Sequence, residues 1–162
     1  MEKNEMLQPS QFFTFKLGKE VFAIDISKVR EVLEYIQITK VPQTPEMMKG
    51  VINLRGSVVP VIDMRLKFGM GESEKTVDTC IIIIEIMLDE QATMIGALVD
   101  AVKEVIDLDS DHIEAAPKIG TQLNTDFIKG MGKQDDQFII ILDIDKIFSS
   151  DELDMVQNVT AS

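Results

Sequence analysis

Lys49-Gly50-Val51-Ile52-Asn53-Leu54-Arg55-Gly56-Ser57-Val58-Val59-Pro60-Val61-Ile62-Asp63 sets two short β-branched runs, Val51-Ile52 and Val58 to Ile62, on either side of Asn53-Leu54-Arg55-Gly56. Val and Ile suit a pleated, half-buried surface, whereas Asn and Gly tolerate the positive φ of a tight reversal. The stretch reads as a β-hairpin tipped by an arginine. Just upstream, Thr44-Pro45-Glu46-Met47-Met48-Lys49-Gly50 offers an N-cap, a proline at the first helical position and a glycine stop, which predicts a short helix.

Working outward, the same plan returns 80 positions later. Asn124-Thr125-Asp126-Phe127-Ile128-Lys129-Gly130 matches the helix candidate, Phe138-Ile139-Ile140-Ile141-Leu142-Asp143 matches Val58 to Asp63, and Phe148 matches Phe68. Earlier in each half, Phe22-Ala23-Ile24 and Val29-Arg30-Glu31-Val32 find counterparts in Ile95-Gly96-Ala97 and Val102-Lys103-Glu104-Val105, offset by 73, with a longer second-half loop around Leu108 to Lys118. Near the start, Phe13, Phe15 and Leu17 alternate with Thr14 and Lys16, and Gly18-Lys19-Glu20 turns into Val21-Phe22-Ala23-Ile24, another hairpin. From Ile26 the spacing predicts one helical turn and then a strand.

About five short strands per unit point to an all-β fold of two small barrels. Ile81 to Ile84 and Phe138 to Leu142 are apolar on both faces, so the units should pack on shared apolar surface. Residues 1–10 read as a loose N-terminus, 11–150 as one domain of two pseudo-repeated units, about 11–75 and 76–150, and 151–162 as a helix and tail begun by the capping box Ser149-Ser150-Asp151-Glu152.

Of 162 residues, 45% are hydrophobic and 27% charged, a balance that fills a core and keeps the chain soluble. A net charge of -12 repels phosphate backbones and anionic lipid, which argues against nucleic acid and membrane partners. Cys80, the single cysteine, lies in an apolar run and reads as a small hydrophobe in a reducing cytoplasm. No apolar run approaches membrane-span length.

Chemistry is scarce. Asp107-Leu108-Asp109-Ser110-Asp111-His112 begins like an EF-hand loop, but His112 stands where the turn glycine belongs and Lys118 where the bidentate glutamate belongs. No Gly-x-Ser-x-Gly elbow is present, and Gly130-Met131-Gly132-Lys133 lacks P-loop spacing. The repeat-related Asp63 and Asp143 form the best enzymatic pair, an aspartyl hydrolase in principle, yet neither is followed by a small hydroxyl residue and glycine. Strand-end aspartates that accept turn amides are the plainer reading. Met47, Met48, Met64, Met70, Met87 and Met94 suit either an adaptable binding surface or core filling. Arg55, one of three arginines, is either a solvated loop charge or a planar donor fork held out to a partner carboxylate.

Phe12-Phe13-Thr14-Phe15-Lys16-Leu17-Gly18, Phe22-Ala23-Ile24-Asp25-Ile26, Lys49 through Asp63, Gly96-Ala97-Leu98-Val99-Asp100-Ala101-Val102 and Phe127-Ile128-Lys129-Gly130-Met131-Gly132 together resemble the CheW family of chemotaxis coupling proteins. The Gly-Val-Ile-Asn-Leu-Arg-Gly segment is the most specific part, and the length suits a freestanding member. The resemblance implies two interlocked SH3-like five-stranded barrels, with exchange of strands between the units left open, no catalysis and no cofactor. It implies a cytoplasmic adaptor that couples a CheA-type histidine kinase to the tips of methyl-accepting chemoreceptors, with a surface-motility pathway as the alternative. Carried over residue by residue, it implies receptor contact at Phe13, Ile26, Val29, Val32, Arg55 and Val99, and kinase contact at Glu31 and Gly50.

Overall fold

The computed structural model describes residues 10–71, 75–88, 90–109, 113–114, 127–134 and 136–147. The expected loose stretch up to residue 9, His112 and the C-terminal helix lie outside them. Five strands precede the midpoint: β1 (Ser10–Leu17), β2 (Glu20–Asp25), β3 (Val29–Glu34), β4 (Met48–Leu54) and β5 (Ser57–Asp63). Six follow: β6 (Cys80–Leu88), β7 (Gln91–Val99), β8 (Ala101–Leu108), β9 (Ile113–Glu114), β10 (Ile128–Gln134) and β11 (Gln137–Leu142). A 3-10 turn, Ile26–Lys28, leads into β3 as its mixed spacing predicts, and single helical turns, Met64–Lys67 and Ile144–Ile147, follow β5 and β11.

The strands form two sheets, ordered β8-β1-β2-β11-β10-β9 and β3-β6-β7-β5-β4. Neither is built from one half of the chain alone, since β1 and β2 join the later strands while β6 and β7 join the earlier ones. The exchange obeys the internal repeat. Val61 pairs with Gly96 in a parallel ladder, and their counterparts Ile141 and Ala23 do the same in the other sheet. One sheet has six strands because the two-residue β9, inside the longer loop, pairs with β10; its first-half counterpart is the isolated bridge between Thr39 and Val51.

The exchange places the exchanged hairpins between three apolar clusters. Along β6, Ile81 and Ile83 face a cluster with Ile52, Val59 and Val61, whereas Ile82 and Ile84 face a larger one with Phe13, Phe15, Phe22 and Ile95. Along β2, Val21 and Ala23 join Phe12, Ile106 and Ile139, whereas Phe22 and Ile24 join that same larger cluster. Period-two alternation thus fills each curled sheet with one face and the shared core with the other. Of the six methionines named above, Met48 and Met64 are buried, Met47, Met70 and Met94 pack against the clusters, and Met87 is exposed.

The helix expected over Thr44–Gly50 does not form. Residues 46 and 47 make a turn closed by Met48 N–H donating to Pro45 O at 2.9 Å, and β4 already begins at Met48. Pairing with β5 overrides the local cap and proline signals, as tertiary context often does. Gly50 is no helix stop. It stands at a register shift in β4 with φ +147°, where an added Cβ would lie 2.1 Å from the Thr39 carbonyl oxygen. Gly130, at the equivalent shift in β10, would meet Ile113 Cγ2 at 2.6 Å.

Two ion pairs tie the exchanged hairpins down. Asp100 Oδ2 accepts from Gly18 N–H at 2.6 Å and from Arg65 Nη1 at 2.9 Å; Arg65 Nε also donates to the Gly71 carbonyl at 3.1 Å. In the other half Asp145 accepts from Met87 N–H at 3.0 Å and from Lys28 Nζ at 2.7 Å. Arg65 and Asp145 are repeat-equivalent, so both halves use that position for an ion pair, with opposite charge and different partners. Asp100→Ala removes the acceptor shared by the exposed Gly18 amide and by Arg65 Nη1, leaving the guanidinium only its carbonyl partners at Gly71 and Met70. It is expected to lower unfolding stability by about 1–3 kcal/mol, measured by urea denaturation.

Candidate interaction surface

The five-stranded sheet ends in β3 on one side and β4 on the other. Its curvature brings these edges together, since Leu33 of β3 packs with Ile52 of β4 in one cluster. The β4–β5 turn has two central residues, Arg55 at φ +50° and Gly56 at φ +88°. Positive φ at both is the turn whose twist matches flanking strands. Asn53 does not take the left-handed position; its side-chain oxygen instead accepts Gly56 N–H at 2.9 Å. Arg55 takes it, at a cost of about 1–2 kcal/mol for a residue with a Cβ.

From that tip Arg55 reaches Glu31 on β3. Nη2 donates to Oε2 at 2.5 Å and Nη1 to Oε1 at 3.3 Å, a two-pronged guanidinium–carboxylate contact between the edges. The Arg55 side chain keeps 71% of its surface exposed, against 28% for Glu31. The arginine hydrogen bond holds the Glu31 carboxyl below its ordinary value, opposed by desolvation and reinforced by the guanidinium charge. A lowered folded value means that the pair stabilises the fold above the normal carboxylate range and ceases to as pH falls through the folded value. Arg55→Ala is expected to move the Glu31 titration, followed by carboxyl carbon chemical shift, to higher pH.

Beside this pair runs an apolar strip. Ile26 and Val29 pack partly against the shared core, and Val32 is 41% exposed. Three-residue spacing normally scatters side chains across a strand, but the register shifts between Val29 and Glu31. Val29 then pairs with Ile84 and Val32 with Ile82, which are two apart and face the same cluster. A bulge absorbs the extra residue, so the strip keeps to one face. Arg30 pairs with Glu85 next to it. Phe13 and Val99 lie within the shared core, 7% and 1% exposed, and offer no surface of their own. Gly50 lies buried beneath the Thr39 carbonyl. The structure thus brings Glu31 and Arg55 together at the β3 edge, leaves Val32 exposed on the other face of that strand, and places Phe13, Val99 and Gly50 inside. No local signal announces the Glu31–Arg55 pair, because sheet curvature alone joins its edges.

The aspartates of the hydrolase reading are engaged locally. Asp63 Oδ1 accepts from the amides of Arg65 and Leu66 at 2.9 and 3.2 Å, capping the turn after β5, and Lys49 Nζ lies 3.8 Å from its other oxygen. Asp143 lies 3.9 Å from Lys146. Among the described residues, no three acidic, histidine or cysteine side chains cluster to hold a metal ion, and no helix is long and apolar enough to cross a membrane. Burial raises the Cys80 thiol above its ordinary value, and Asp78 and Glu34 add to that shift.

The model of the CheW-like domain matches residues 11–152. The chain belongs to the CheW family. It is 39% identical over 155 residues to the chemotaxis protein CheW of Klebsiella aerogenes, covering 94% of this chain and 89% of that one. It is 32% identical to the Bacillus subtilis chemotaxis protein CheW, covering 91% and 92%. The crystal structure of the scaffolding protein TtCheW from Thermoanaerobacter tengcongensis superposes with a TM-score of 0.78 at 42% identity, covering 89% of this chain and 90% of that one. TtCheW thus shares the fold described above, and the Gly50 to Gly56 segment that carries the resemblance most specifically belongs to the hairpin that presents Arg55.

Proposed function

We propose that the protein is a cytoplasmic, non-catalytic chemotaxis scaffold that couples a CheA-type histidine kinase to the tips of methyl-accepting chemoreceptors and thereby sets kinase activity. The observation that carries this reading is family membership along nearly the whole chain, joined to an exterior that concentrates a charged fork and an apolar strip. Residues 11–150 act as one CheW-like domain. The receptor tip, a helical surface, lies along Ile26, Val29 and Val32, with Arg55 reached across the β3 edge; amphipathic helices seat in this way on apolar grooves. Phe13 and Val99 contribute from behind, as members of the cluster on which Ile26 and Val29 pack. The kinase meets the Glu31 edge, and Gly50 serves that edge by allowing β4 to pass close under Thr39.

Reconstitution tests the reading. Purified chain added to kinase and receptor-bearing vesicles is expected to bring both into one sedimenting complex and to change kinase autophosphorylation in a ligand-dependent way. A folded chain that captures neither partner would refute it.

A further inference from the structure

The parallel β5–β7 ladder has three pairs, like its β11–β2 counterpart, but lies two residues further downstream. It begins at Val61 paired with Gly96, whereas the equivalent β11–β2 ladder runs two residues further upstream, through Ile140 with Phe22 and Ile139 with Val21. Position 60 explains the difference. The two-residue turn pairs Leu54 with Ser57, so Ser57, Val59 and Val61 bond β4 while Val58, Pro60 and Ile62 turn toward β7. Proline has no N–H to give the Met94 carbonyl, whereas its counterpart Ile140 has one that the register aims at the Val21 carbonyl. Upstream of Pro60 the strands part around a cleft of about 640 Å³, within the usual range of ligand sites.

Its walls are strand edges. By the same parity, Val58 presents its N–H and C=O from β5, and Ala92 and Met94 present theirs from β7. Val58 is itself half exposed. Among the described residues, Arg55 is the one charged residue lining the cleft, on a chain of net charge -12. We propose that the cleft receives an extended segment of a partner polypeptide, added as a strand between β5 and β7, with a carboxylate over Arg55. Two facing backbone edges match an extended peptide's alternating donors and acceptors on both of its sides, which a helix cannot offer. The guanidinium, largely exposed although both its terminal nitrogens donate to Glu31, supplies the complementary charge by sharing that carboxylate with the incoming one. This deepens the adaptor reading, on which it rests, by stating the form in which one partner is held.

The probe is a capped hexapeptide of alternating valine and threonine led by aspartate, titrated into the nitrogen-15-labelled full chain. Saturable shifts of the Val58, Ala92 and Met94 amides are expected. Pro60→Ile, which copies the sister strand and lets the ladder close, is expected to weaken binding at least tenfold, with melting temperature and far-UV spectrum reporting its fold. A backbone N-methylated twin of the peptide is expected to lose binding to the unaltered chain, which decides the matter if Pro60→Ile does not fold. Absence of saturable shifts, equal binding of the twin, equal binding by folded Pro60→Ile, or a second copy of the chain covering these amides would overturn the proposal. Peptide binding without kinase or receptor capture would refute the adaptor reading while upholding the cleft, and capture without peptide binding would do the reverse.

Discussion

Gly50→Ala is expected to lower unfolding stability by about 3 kcal/mol or more, because a Cβ forced against a backbone oxygen moves only if a strand moves. The new atom would sit 2.1 Å from Thr39 O and 2.8 Å from Ile38 Cγ2, at a φ of +147° that side chains rarely adopt. For a domain of this size the midpoint should fall by about 6–12 °C, read by circular dichroism. Gly56→Ala is the control: it also has positive φ, yet its Cβ would meet nothing within 4 Å, so it reports backbone strain without the clash. Equal losses in the two variants would remove the steric account. The comparison matters for binding as well. If Gly50→Ala weakens kinase capture only above its own unfolding onset, the residue's part in binding is structural.

Arg55→Glu is expected to weaken partner capture at least tenfold while scarcely moving the unfolding curve, since exposed ion pairs contribute little net stability. Glu31→Arg should do the same, because each change sets like charges across the two-pronged contact. The double exchange Glu31→Arg with Arg55→Glu restores the pair but reverses its direction. Partner binding measured by calorimetry then separates two roles. Recovery in the double variant means that the pair's geometry is recognised; continued loss means that the partner reads the positive charge at the hairpin tip. Normal binding by a folded Arg55→Glu variant would take Arg55 out of the surface altogether.

Much of the fold is legible in the residues because its determinants are local and duplicated. Alternation in Phe13 to Leu17, the reversal at Asn53-Leu54-Arg55-Gly56 and the offsets of 80 and 73 each report a short-range preference, and each matches a hairpin or paired strand, although Arg55 rather than Asn53 takes the positive φ. The same locality misleads at Thr44–Gly50. Cap, proline and glycine occur there in helical order, but a strand partner and the Met48–Ile62 pairing outweigh them. At the candidate surface, Ile26, Val29 and Val32 show a common spacing whose geometric meaning depends on a bulge. Arg55 stands out by its rarity and its turn; the identity of its partner carboxylate does not.

The sequence by itself determined the strands, their duplication, the absence of a familiar catalytic signature and the resemblance to one family, since all of these are written in residue type and spacing. Tertiary structure alone decided which half donates strands to which sheet, that Glu31 and Arg55 meet, that Phe13 and Val99 are covered, and that Pro60 holds a ladder open. Those outcomes join residues from about 24 to 117 positions apart. Such contacts arise only when twisted sheets curl and pack, and neither propensity nor periodicity encodes that closure.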